Sequence, residues 1–267
     1  MLSVEFLVVA LLILAVSFSM VMVGKGGGNF YLLILVFAGV AIHEASTTGQ
    51  FILFSASTAG MLVFGRNKAV NWKLAAVVGT LVATSAFLGG YLSGFFDEII
   101  LKWLFVLLLV ASGALMLVPT KWYENQGAPR FGQVTLQTGD GEVVMNLAVV
   151  LPVSLLTGFL SGMIGVSGGS FLVPVLVLAC GLPMKTSVAT VTPLIALSSL
   201  MGFMGHAFQG HFNPVMAIPL AVVAVVGGLV GGRFALQSKP KHLKQIFAVT
   251  NWLAALIMVI NLTITSA

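Results

Sequence analysis

The chain has 267 residues, of which 59% are hydrophobic and only 7% charged. So few charges could not cover the surface of a water-soluble domain of this length. The net charge of +5 is small and dispersed, which argues against a nucleic-acid partner and fits basic loops beside a bilayer or an anionic substrate.

Ten apolar segments follow one another, at about 3–22, 29–43, 46–65, 72–93, 97–118, 146–165, 168–182, 186–205, 214–236 and 243–262. Residues 1–22 lack a basic start and a small-residue cleavage site, so they read as a retained first helix. The first segment ends in Gly24-Lys25-Gly26-Gly27-Gly28-Asn29. The second segment then falls short of the roughly 20 residues that a full crossing needs. Between Pro119 and Glu142 the chain is polar, with Glu124, Arg130, Asp140 and Glu142, and residues 135–142 suggest a turn or hairpin outside the membrane. The sixth segment ends in a second break, Gly165-Val166-Ser167-Gly168-Gly169-Ser170, and again a short segment follows. No Asp, Glu, Lys or Arg occurs between Glu142 and Lys185, or between Lys185 and Arg233.

A register of 142 residues relates the two halves. It pairs Gly39 with Gly181, Thr48 with Thr190, Ser57 with Ser199, Gly60 with Gly202 and Asn71 with Asn213. It also pairs Gly89-Gly90 with Gly231-Gly232, Lys102 with Lys244 and Phe105 with Phe247. The breaks themselves align at 141, one residue out of step. The first-half basic loop (Arg66, Lys68, Lys73) corresponds to a second-half loop with His206 and His211 but no Lys or Arg. The second-half basic loop (Lys239, Lys241, Lys244) corresponds to Asp97, Glu98 and Lys102. By the positive-inside rule the halves face opposite ways. The expected fold is therefore an all-α polytopic membrane protein of two inverted-topology repeats with glycine-broken helices and about 8–10 transmembrane segments. Repeat 1 covers 1–118, a cytoplasmic linker 119–145 and repeat 2 146–267, with both chain ends outside. The parity holds if the short segments count as crossings.

An unwound backbone at membrane depth is tolerated only where protein buries it or it lines a wet cavity. A helix restarting after Gly-Gly presents free N–H groups and the positive end of its dipole, and two such ends would form an anion site. The candidate substrate-binding residues are Lys25, Gly26, Gly27, Gly28, Asn29, Ser167, Gly168, Gly169 and Ser170. Thr47, Thr48, Gln50 and Thr190 are added from the helix starts nearby. Each has a plainer alternative. Lys25 could snorkel to the interface, and the threonines could bond to their own helices. For Gln50 and Thr192 the structural role is favoured. His43-Glu44 reads as an interfacial cap before a proton-coupling pair, and His206 and His211 read as interfacial.

Enzymatic readings fare poorly. His43-Glu44 has Thr47 where a zinc protease needs histidine, and neither a P-loop nor a Gly-x-Ser-x-Gly elbow occurs. No metal or cofactor is expected, and the single cysteine, Cys180, excludes an internal disulfide and a thiolate cluster. Pro152, Pro174, Pro193, Pro214 and Pro219 read as helix kinks or starts.

The run from Ser161 to Pro174, continued by Gly181-Leu182-Pro183-Met184-Lys185-Thr186-Ser187-Val188-Ala189-Thr190, resembles the signature of the sulfite exporter TauE/SafE family. The first half resembles the same repeat through Gly24–Gly28, His43–Thr48 and Asn71-Trp72-Lys73. The resemblance implies a permease, read as an exporter, moving sulfite or an organosulfonate across the cell's inner membrane. Its partners would be that small sulfur-containing anion, the lipid bilayer and copies of itself. Three departures from the family pattern surround the breaks: Lys25 for an apolar residue, Ser167 for glycine and Leu33 for proline. Two other readings remain open, a channel or transporter for another small solute and a non-transporting assembly factor. Glu44 would carry a cation reading, and tolerance of bulky replacements at the glycines would mark the scaffold.

Overall fold

The computed structural model describes residues 4–92, 98–117, 133–138, 141–164, 167–208 and 212–265. Asp97, Glu124, Arg130, Asp140, Gly165, Val166 and His211 lie outside the described residues, as do the side chains of Glu98, Lys102, Phe105 and Glu142.

Ten helices run through the described chain. In the first half they are α1 (Val4–Met22), α2 (Gly28–Phe37), α3 (Ile42–Arg66), α4 (Trp72–Leu92) and α5 (Glu98–Leu117). In the second half they are α6 (Leu147–Ile164), α7 (Gly169–Leu178), α8 (Met184–Ala207), α9 (Pro214–Gln237) and α10 (Pro240–Thr265). Between the halves, β1 (Gln133–Thr138) and β2 (Gly141–Asn146) pair antiparallel, with Gln137 opposite Glu142. Seven helices among the described residues (α1, α3, α4, α6, α8, α9 and α10) are long and apolar enough to cross a membrane. With them comes an outward apolar belt, to which Leu7, Leu11, Val222, Val226, Leu253 and Leu256 contribute exposed side chains. This is a polytopic membrane protein. α2 and α7 have only 10 residues each, so each is about 15 Å long, half of a bilayer core. They are shorter than the segments expected at 29–43 and 168–182 chiefly because each ends early, a few residues before a left-handed glycine, Gly39 or Gly181.

The paired loop residues have the same jobs in both halves. Asn71 Oδ1 accepts from the N–H of Leu74, and Asn213 Oδ1 from that of Met216, so each asparagine caps the helix that follows. Gly39 and Gly181 both take left-handed backbone (φ +83° and +65°) just past a short helix, a conformation that a Cβ disfavours.

Close glycine contacts fix how the long helices run. Gly228 of α9 lies on Ala56 and Gly232 on Val63, so α9 runs along α3 in the same direction. Gly227 lies on Leu14 and Gly231 on Phe18, which puts α1 parallel to both. In the same way Gly158 meets Val82 and Gly162 meets Ala86, while Gly79 meets Leu194 and Gly90 meets Gly202. Thus α4, α6 and α8 run together. The chain therefore builds two three-helix bundles, α1–α3–α9 and α4–α6–α8, each taking helices from both halves. They join where α3 packs on α8. There Gly60 meets Thr192 and Gly202 meets Gln50, so these two helices are antiparallel. α5 and α10 pack on each other beside the bundles.

Candidate functional site

Two helix breaks meet between the bundles. After α1 the chain turns through Gly24, Gly26 and Gly27, all with φ between +71° and +99°. The N–H groups of Lys25 and Gly26 both reach the Met20 carbonyl, closing α1, and the Gly27 carbonyl accepts from Phe30 and Tyr31, opening α2. α2 then runs back along α3, with Gly26 beside Leu53 and Ser57 and Leu32 beside Gly49. On the other side Ser167 organises the start of α7: its Oγ accepts from the Gly169 N–H at 3.2 Å.

Contact between the breaks is direct. A Cβ on Gly169 would stand 2.5 Å from the Gly24 carbonyl oxygen and 2.8 Å from Lys25 Cα, so only glycine fits. Ser167 donates its hydroxyl to the Lys25 carbonyl, and its N–H to Asn29 Oδ1 at 3.2 Å. Met20, Lys25, Gly27, Asn29, Phe30, Ser167 and Ser170 line a recess too narrow to admit a water molecule. Ser170 Oγ is buried there with no hydrogen-bond partner among the described residues.

Lys25 is the unusual charge. Its side chain is only 2% exposed. Nζ donates to Thr250 Oγ1 at 2.9 Å and stands 5.1 Å from the centroid of the Phe247 ring. Among the described residues no carboxylate pairs with it. A buried ammonium with one hydroxyl and one aromatic face for company keeps strong attraction for an anion. Snorkelling to an interface does not describe this lysine.

Lys25, Gly27, Asn29, Ser167 and Ser170 share the recess, with Gly26, Gly28, Gly168 and Gly169 forming the backbone around it. Thr47, Thr48, Gln50 and Thr190 do not line it. Thr47 donates to the His43 carbonyl of its own helix, and Gln50 donates to the Ser161 carbonyl of α6. Thr190 lies close to the first break, two residues past Val188, which Gly24 touches, but its hydroxyl accepts the Asn71 N–H. Thr48 is buried, its hydroxyl without a partner among the described residues, and it is set apart by height: Gly26 lies level with Leu53 and Ser57, five to nine residues further along α3, which is about 8–13 Å of rise. His206, in the last turn of α8, is buried, with Nε2 2.8 Å from the Gly162 carbonyl.

Sequence reasoning passed over Thr250, Phe247, Asn251 and Ser112. Asn251 donates to Ser112 Oγ at 3.0 Å, and Ser112 donates to the Ser170 carbonyl at the head of α7. The available signal was Thr250-Asn251, a polar pair inside the last apolar segment.

Residues 9–258 match the family model of the sulfite exporter TauE/SafE proteins. The chain belongs to this family. Among similar proteins, the Bacillus subtilis protein named "Probable membrane transporter protein YunE" is 25% identical over 240 residues, covering 85% of this chain and 88% of the relative. The Methanocaldococcus jannaschii protein named "Probable membrane transporter protein MJ0441" is 26% identical over 260 residues, covering 90% and 91%. No solved structure matches this TauE/SafE chain.

Proposed function

We propose that this TauE/SafE protein is a permease of the cell's inner membrane that exports a small sulfur-containing anion, sulfite or an organosulfonate, held between the two helix breaks. One observation carries the reading: a buried lysine without a carboxylate partner among the described residues shares a recess with the starts of two short helices. Lys25 supplies the charge, and Asn29, Ser167 and Ser170 with the adjacent backbone N–H groups supply directed donors. Sulfite, with three oxygens around one centre, suits convergent donors of this kind. The family description and the names of the relatives support transport as the activity.

The two halves act as inverted repeats. The antiparallel course of α3 and α8, which occupy the same place in their halves, supports this, as do the matched asparagine caps and left-handed glycines. Alternating access comes from one helix bundle moving against the other around the breaks. Because each bundle mixes helices of both halves, the moving bodies are the bundles rather than the sequence halves. The recess is too narrow for a water molecule, so an anion is accommodated only when they part.

The test is counterflow of labelled sulfite into proteoliposomes, with unlabelled sulfite, sulfoacetate, thiosulfate and sulfate as competitors. Saturable exchange blocked by one of these anions is the expected result. Absence of exchange by folded, inserted protein would overturn the reading.

A further inference from the structure

Lys25 is flexible, and a charge on a four-carbon stem is useful to an anion only if something aims it. The aiming group lies on α10, outside both breaks. Thr250 Oγ1 donates its own proton within α10, to the Ile246 carbonyl at 2.7 Å, with the Phe247 carbonyl at 3.0 Å. Its lone pairs are therefore left to face Lys25 Nζ, which donates to them at 2.9 Å. Phe247, one turn earlier on the same face of α10, presents its ring to the same ammonium.

α10 is itself held in place at this level. Asn251, the next residue, is fully buried and reaches through Ser112 of α5 to the Ser170 carbonyl of the second break. Adjacent residues of one helix thus reach both breaks, Thr250 directly and Asn251 through Ser112. Further along α10 the buried side chains Ala254, Ala255 and Met258 are apolar.

We propose that Thr250 is a positioning residue for the anion site: it holds the Lys25 ammonium at the recess in the empty protein, leaving its remaining N–H groups to the anion. This rests on the breaks being the anion site. α10 is then tied to that site from outside its lining, through the Lys25 side chain rather than through the repeat signature.

Counterflow with labelled sulfite, thiosulfate and sulfoacetate in turn, on the wild type, Thr250→Val, Thr250→Ser, Lys25→Ala and the Lys25→Ala/Thr250→Val double variant, separates the cases. Thr250→Val removes the acceptor at equal volume and should raise KM about five- to tenfold with the maximal rate within about twofold. Thr250→Ser keeps the hydroxyl and should restore KM. In the Lys25→Ala background the valine should have no further effect, because its action runs through the lysine. A Thr250→Val KM within about twofold of wild type, or an undiminished effect without Lys25, overturns the positioning role and leaves the anion site standing. No exchange of any of the three anions, or a Lys25→Ala protein with unchanged KM, overturns the anion site and the positioning role together.

Discussion

At Gly169 the two breaks touch backbone to backbone, and a methyl group there would push the Gly24 carbonyl and Lys25 aside. Gly169→Ala should therefore abolish anion exchange even where the protein still inserts, as measured by counterflow on monodisperse protein. Gly39 makes the opposite case. It has left-handed backbone but open space around its Cβ position, so Gly39→Ala carries only the conformational cost of that φ, about 1–2 kcal/mol. Thermal unfolding in detergent should show a lower Tm, with KM unchanged. At Lys25 the chemistry is charge. Lys25→Ala removes the one buried cation of the recess and should raise KM for sulfite by tenfold or more, since hydrogen bonds to a charged group contribute about 1.5–3 kcal/mol.

At the scale of elements, the glycines along α4, α6 and α9 differ in what they permit. Gly162 of α6 lies against the backbone of Ala86, which cannot yield. Gly79 of α4 faces only the side chains of Leu194 and Leu197 at 3.7–4.0 Å, an ordinary packing distance. Gly162→Ala should push α6 off α4 and lower Tm sharply. Gly79→Ala should be neutral or should stabilise by about 0.5–1 kcal/mol, because alanine restricts the unfolded chain and adds packing. The short helices α2 and α7 depend on such contacts too. Ten residues seldom hold a helix alone in water, and here Tyr31 and Leu35 of α2, and Leu172, Val173 and Leu176 of α7, are buried against their neighbours.

At the scale of the molecule, the exchanged bundles make a prediction about motion. Phe18 of α1 and Phe234 of α9 lie within one bundle, with ring centroids 5.4 Å apart. Phe51 of α3 and Phe203 of α8 are as close, at 5.3 Å, but belong to different bundles. In a Cys180→Ser background, cross-linking Phe18→Cys to Phe234→Cys should leave counterflow intact. Cross-linking Phe51→Cys to Phe203→Cys should arrest it, with recovery on reduction. Arrest by both pairs would mean that the sequence halves move instead, because each pair ties one half to the other.

Much of the molecule was legible in the chain because a bilayer punishes error. Charges are costly in hydrocarbon, so their near absence announced the membrane, and unwound backbone is costly there too, so two glycine breaks announced a place where something unusual happens. The 142-residue register paired Asn71 with Asn213, and the structure gives both the same role as helix caps, local chemistry settled within four residues. What the sequence could not supply was distance between segments. Thr48 and Thr190 share one register position and have hydroxyls suited to an anion, yet Thr48 sits about a turn and a half or more from the residues that Gly26 meets, and the Thr190 hydroxyl is taken by the Asn71 N–H. Thr250 and Asn251 have no counterpart in the repeat, since the register places Leu108 and Leu109 opposite them, and nothing local says that they face Lys25. Which helices share a bundle is likewise a property of packing, decided by where glycines let backbones approach. By itself the sequence determined the membrane and the breaks, because those follow from the cost of burying charge or free backbone one segment at a time. The partner of Lys25, the exchange of helices between halves and the shape of the recess were decided only when all ten helices packed.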